Sequence, residues 1–457
     1  MRKAAEGAQV AGASRGRGSR IALVVLVALA IAHAVVVASV LMQPLDVRRS
    51  APERRAVGFE LYNDAVHRIG PAADFFAVYR AGVQVRAGRS PYSGAPDPGN
   101  PPYGFAYRYP PIVAQTLGRA LAALPPRAAW IAWGFANEIL LLGFLSLWWS
   151  AVPARGMRGA GIGLLLASTP YFLELHMGQF SFAAAVLACA ALLLLERSTG
   201  IAARATGVLL LGAGAALKLF PLATLPALRR DRLACVGACL AAAGLVGAIA
   251  WHGLASPEDL DLFTGVNIAG LSPGPQRGNF GMLYTLTAAA REAGVAWTPS
   301  LFVPIARAWQ ILLLGSAALL AWRAPHRALA LAGASMLTAF FLAYQDVWEH
   351  HYSGVLVAGL LVARGVLAQA AAPAERALVW LALVAIALPT PFAWLDARGD
   401  LTWRSWPGFH QWAVPLAKSG PLFVLHTIGI TALLRAARGG AGCEPEPLRR
   451  AGRSAAR

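Results

Sequence analysis

The stretch IALVVLVALAIAHAVVVASVLM, residues 21–42, holds no Asp, Glu, Lys or Arg and follows a tail, residues 1–20, that carries Arg2, Lys3, Arg15, Arg17 and Arg20. About 20 apolar residues wound as an α-helix cross a hydrocarbon layer of ~30 Å. The segment therefore reads as a membrane span. Its basic approach is signal-peptide-like, but the run exceeds the ~7 to 15 apolar residues of a signal-peptide core. The expectation is a retained first helix.

Working outward, comparable stretches recur at 127–150, 158–175, 179–196, 203–218, 232–255, 302–323, 326–345, 352–370, 376–397 and 412–436. With the first they make about 11 spans. Two further pieces, 110–124 and 219–229, are apolar but too short to cross. Pro110, Pro111, Pro125, Pro126 and Pro221 punctuate their ends, which suits re-entrant or interfacial helices. The fold class expected is an all-α polytopic membrane protein.

Composition agrees. Of 457 residues 57% are hydrophobic and 14% charged, against about 25% charged in soluble domains. The formal net charge of +18 would suit a nucleic-acid partner, but the cations sit mostly in the tails and in short loops between spans. That is a topology signal, and no nucleic acid is expected. Cys189, Cys235, Cys239 and Cys443 show no metal-ligand or paired spacing and read as packing residues.

Short loops rich in Lys and Arg stay in the cytoplasm. With the N-terminal tail inside, the loops at Arg155 and Arg158, at Arg197 and Arg204, at Arg229 to Arg232 and at Arg323 to Arg327 all fall inside, as does the tail 437–457 with Arg449 and Arg450. This requires 219–229 to return to the cytoplasmic face and 110–124 to make no net crossing. A membrane domain, 21–436, then sends two long loops, 43–109 and 256–301, to the opposite face, with short turns at His176 to Phe180 and Tyr344 to Tyr352. Long loops tend to be functional. No internal repeat of the kind that builds many transporters is visible.

The first long loop contains Asp74 followed by Phe75, Phe76 and Tyr79, then Gly88-Arg89-Ser90-Pro91-Tyr92, then Tyr107-Arg108-Tyr109-Pro110-Pro111. Read plainly, 74–79 is an interfacial anchor helix with its rings toward lipid and Asp74 solvated near the surface. Read chemically, a carboxylate desolvated by rings and lipid gains proton affinity and becomes a useful base.

These motifs, in this order, resemble the first loop of the polyprenyl-phosphate-sugar-dependent glycosyltransferases of family 87, which include actinobacterial alpha-mannosyltransferases and have the GT-C fold. Gly178-Gln179 opening a helix, Ala216 to Pro221 around Lys218, Gly278-Asn279 and Trp348-Glu349-His350-His351 continue the resemblance over roughly residues 70 to 355. The chain departs from the family where it reads Gly278-Asn279-Phe280-Gly281 in place of Gly-Asn-Gln-Ser, and it offers no motif after residue 360.

The resemblance implies a hexosyltransferase of the bacterial plasma membrane with an extracytoplasmic site. Its donor would be a polyprenyl-phosphate sugar, mannose first, and its acceptor a glycolipid or glycan hydroxyl. It would need no cofactor, and membrane lipids would be its other partners. Asp74 would be the catalytic base, while Arg108, Lys218, His350, His351, Gln179 and Asn279 would bind the donor phosphate or sugar. Lys218 is informative in itself, because a lysine at the centre of a spanning helix costs about 2.5–3.5 kcal/mol. Its plain reading is a side chain snorkelling to the interface. Adjacent His350 and His351 could suggest a metal, but they point apart on a helix and lack a carboxylate at i+4. Phosphate or sugar hydrogen bonding suits them better. Asp259-Leu260-Asp261 mimics a metal-binding Asp-x-Asp, which a monophosphate donor does not require. Asn267, Gln276 and Arg277 are further polar loop residues.

A transporter or lipid-linked sugar flippase is the alternative, and it would need polar residues along a path through the bilayer. Few lie at mid-helix. Asn137 and Glu138 are the main exceptions, with no evident charge partner in the sequence. A non-catalytic envelope scaffold is the third reading.

Overall fold

A computed structural model describes residues 2–43, 45, 71–93, 107–198, 200–267, 271, 279–369, 371–390 and 408–440, with backbone alone at 2–20, 265–267, 408–410 and 439–440. Among these residues all regular structure is helical. In chain order the helices are α1 (Arg2–Leu41), α2 (Ala73–Arg86), a bent segment made of Pro111–Val113, the π-helical Ala114–Gly118 and Arg119–Leu121, then α3 (Pro126–Ala151), α4 (Arg155–Leu166), α5 (Thr169–Met177), α6 (Ser181–Arg197) and α7 (Ile201–Leu217). A 3-10 helix (Phe220–Arg230) leads to α8 (Arg232–Ala255), α9 (Pro257–Asn267), α10 (Met282–Glu292), α11 (Pro299–Arg323), α12 (Leu329–Ala343), a 3-10 turn (Glu349–His351), α13 (Tyr352–Leu367), α14 (Pro373–Ala387) and α15 (Gly408–Gly440).

Among the described residues six segments are long and apolar enough to cross a membrane: Ile21–Leu41, Pro126–Ala151, Arg232–Ala255, Pro299–Arg323, His326–Ala343 and Gln411–Arg438. The other expected spans fall on helices of 9 to 17 residues. The spans also differ in burial. The most apolar windows of 21–41, 232–255 and 299–323 are only 11% buried, whereas that of 326–343 is 83% buried. The periphery shows Leu23, Val35, Leu240, Val246, Ile311 and Leu312 outward, the surface that lipid accepts. The centre is α6, α12 and α13, packed on one another. There Ala, Gly and Ser allow close approach, as where Leu192 side-chain carbons would lie 2.5 Å from a Cβ at Gly333.

The expected single span 158–175 is two helices. Ser168 accepts a hydrogen bond from Tyr171 N, and Pro170 sits in the first turn of α5. Capping and the lost amide end one helix and start the next. The second long loop also holds more structure than a loop, since α9 and α10 occupy it. The polar residues Gln276 and Arg277, Gly278, the side chain of Asn267 and the tail 441–457 lie outside the described residues.

The basic end of the bundle is tied together by ion pairs. Arg364 meets Glu196 at 2.6 Å, Arg204 meets Asp231 at 2.8 Å, and Arg435 meets Glu375 at 2.6 Å. The Arg204–Asp231 pair answers how 220–230 runs. α7 climbs about 25 Å over 17 residues, and an 11-residue 3-10 helix descends about 22 Å. The chain thus returns to the end it left, as the charge pattern required.

Candidate active site

The other end of the bundle gathers the carboxylates and cations. Asp74 lies in the first turn of α2, and the backbone behind it is fixed by α5. Ala72 N donates to His176 O at 2.6 Å, and Ala72 holds a left-handed φ of 64° although it is not glycine. Gly178 ends α5 with φ 68°, and a Cβ there would stand 2.4 Å from Phe75 Cβ. Only glycine combines that backbone with that proximity. The next residue, Gln179, hydrogen-bonds Asp74 and accepts from Tyr109 Oη at 3.1 Å. The motif Gly178-Gln179 is therefore a bracket for Asp74.

The rings after Asp74 do not face lipid, contrary to the anchor-helix reading. Phe75 and Phe76 are fully buried and Tyr79 nearly so. They pack into the protein, with Phe75 against Trp130 at 5.5 Å between centroids. The reason is the partner beneath: Gly82 of α2 crosses Gly118 of the π-helical segment, where an added Cβ would meet Gly118 O at 2.0 Å. Backbone-to-backbone docking draws the whole apolar face of α2 inward. Asp74 itself stays half-buried. Burial raises its pKa, opposed by the Lys218 charge, the Gln179 hydrogen bond and the Arg108 charge.

Lys218 follows α7 at its last turn, with its ammonium 4.9 Å over the Tyr109 ring. It lies within electrostatic range of Asp74, Glu174, Asp346 and Arg108. Among the described residues no direct ion pair joins it to those carboxylates, so charges of both signs face one another without neutralising contact. Arg108 is exposed at the rim and acts on Asp74 and on Asp346. Asp346, like Asp74, has its pKa raised by burial, against a hydrogen bond from Trp348 and the charges of Arg108 and Lys218.

His350 and His351 are both buried, with ring centroids 4.3 Å apart. His350 Nε2 has no hydrogen-bond partner among the described residues. Burial, and then the Lys218 charge, push its pKa down to about 3, and His351 also falls well below the usual value. Both act as neutral imidazoles. His351 has a local duty, since its Nδ1 accepts from Trp348 N at 2.9 Å.

Asn279 is brought to this end but not as a free amide. Its Oδ1 accepts from Gly281 N at 2.7 Å and Val347 N at 3.3 Å, and its Nδ2 donates to Gln345 O. It holds the 345–347 turn, a positioning duty where sugar contact was expected. Asp259 is likewise engaged. Its carboxylate accepts from Ser90 Oγ and pairs with His252 Nε2 at 2.8 Å, which clasps the two long loops together.

Two carboxylates went unrecognised in the sequence as site residues. Glu174 is 1% exposed, and Phe182 N and Ser353 Oγ donate to it at 2.7 and 3.3 Å. Its signal was an acid inside an apolar stretch. Asp346 lies in the short turn Tyr344 to Tyr352, where no motif marked it. Glu138, which lacked an evident partner, pairs with His33 Nε2 at 3.0 Å and accepts from Tyr171 Oη. It ties α1 to α3 and α5 rather than lining a path.

The fold and site define a class: a polytopic helical membrane protein with opposed carboxylates and cations at one end of its bundle. The family model of glycosyltransferase family 87 matches residues 107–344, more than half of the chain. The chain belongs to glycosyltransferase family 87 and is a membrane glycosyltransferase. Asp74, His350 and His351 lie outside the matched residues. No curated protein matches the chain.

Proposed function

We propose that this enzyme transfers a hexose, mannose first, from a polyprenyl monophosphate to a hydroxyl of a glycolipid or glycan on the extracytoplasmic face. The observation that carries the reading is the grouping of Asp74, whose proton affinity is raised by burial, with Lys218 and Arg108. A base and a phosphate-sized cationic field are what this reaction requires.

The acceptor oxygen attacks the anomeric carbon as the bond from that carbon to the phosphate oxygen breaks. Asp74 takes the hydroxyl proton. The polyprenyl phosphate departs with the bonding electron pair, and its added negative charge meets Lys218 and Arg108, with His350 donating as a neutral imidazole. Direct attack inverts the anomeric centre, so a beta-linked donor yields an alpha-linked product. Gln179 holds the base in place. The donor's lipid tail explains why such a catalyst lives in a membrane.

The test is purified protein in detergent with labelled polyprenyl-phosphate-mannose and a membrane extract. A labelled product is expected, and its mass identifies the acceptor. Failure with every lipid-linked sugar offered would overturn the reading.

A further inference from the structure

The segment after residue 360 carries no recognisable motif, yet α15 contains a lysine in its apolar interior, Lys418, that is 0% exposed. Its ammonium donates to the carbonyls of Ala385 at 3.3 Å and Ile386 at 2.8 Å and also to Leu388 O. These are carbonyls at the end of α14 that the helix cannot satisfy itself. Capping alone would not require an acid, but the same ammonium stands 3.9 Å from Glu349 Oε1. That oxygen also accepts from the amide, at 3.3 Å, and from the hydroxyl of Thr390. Glu349 immediately precedes His350.

The turn is thus held from both sides. Asn279 fastens residues 345–347, while Lys418 and Thr390 fasten residue 349. The next residue of α15, Ser419, meets Thr285 of α10 at 3.1 Å, and Thr285 bonds Gly281 O beside the Asn279 contact. Within this frame, the one His350 ring nitrogen identified as lacking a partner among the described residues is Nε2. A donor held rigidly by its surroundings reorganises little when charge develops beside it.

We infer that Lys418 is a positioning residue of the transferase: through Glu349 and Thr390 it sets the His350 ring toward the departing phosphate. This rests on the proposed reaction. A misplacement of about 1 Å in such a group costs up to about 100-fold in rate.

The experiment is a mutant cycle on the full-length enzyme. Lys418→Met combined with Glu349→Gln removes both charges together, which spares the fold a lone buried ion. Thr390→Val, close in shape and uncharged, loosens the same carboxylate and serves if the pair fails to fold. Each is made with and without His350→Ala, and kcat and the donor KM are measured. The expected result is a 10- to 100-fold lower kcat at an unchanged donor KM, with no further loss when His350→Ala is added. Losses that multiply with His350→Ala, or a wild-type kcat, would overturn the inference, since either means that Lys418 only braces the bundle. An inactive wild type would instead sink the proposed reaction, so the two failures are distinguishable.

Discussion

At the level of single side chains, burial decides the chemistry. In the proposed reaction Asp74 must be ionised to accept a proton, and burial raises its pKa above the ordinary aspartate range of about 3.9. The kcat/KM profile should therefore climb through an acid limb displaced upward from that range and then level off. Asp74→Asn should lower transfer by about 10²–10⁴ and abolish the limb, as read from rate against pH. His350, held at about 3, is neutral throughout pH 5 to 8 and adds no inflection there. Gly178 offers a second check. Alanine in a left-handed conformation costs about 1–2 kcal/mol, and its Cβ would strike Phe75. Gly178→Ala should lower the melting temperature in detergent and cut transfer further than stability alone explains, because Gln179 moves away from Asp74. The residue types at the site were readable as motifs, but Asn279 shows the limit of such reading. Its amide is consumed by the backbone of 345–347, and no motif states which atoms a side chain already serves.

Among helices, the informative unit is α2 on the π-helical segment. A helix rich in aromatics can lie on lipid or sink into protein, and the amphipathic pattern alone does not choose. The crossing of Gly82 and Gly118 chooses, since it lets the two backbones touch and pulls Phe75, Phe76 and Tyr79 inward. Gly82→Ala should accordingly dislodge α2. Rapid tryptic cleavage at Arg86 and Arg89, both exposed, with transfer lost and the rest of the bundle intact by size-exclusion profile, is the expected outcome. Retained activity would mean the crossing is looser than drawn. The break between α4 and α5 belongs to the same scale. Ser168 and Pro170 carried its signal, but the continuous apolar run from 158 to 175 masked it.

For the whole molecule, polarity is sorted by end. Ion pairs among Glu196, Arg204, Asp231, Arg364, Glu375 and Arg435 hold one end, and Asp74, Gln179, Lys218 and His350 meet at the other. With native cysteines replaced, a membrane-impermeant maleimide should label Arg89→Cys in intact cells and Arg155→Cys only after lysis; the opposite pattern would reverse the proposed sidedness. The two ends and the helical class were legible in the chain, because hydrophobic length and loop charge are local properties that a linear sequence displays directly. The helices at the centre were legible as apolar but not as central, since Ala-rich and Leu-rich stretches score alike until packing sorts them. Lys418 and Glu174 acquire their roles only in three dimensions. Each sits in an apolar run whose partners are more than a hundred residues away or on another helix, and a buried charge is defined by the groups that surround it.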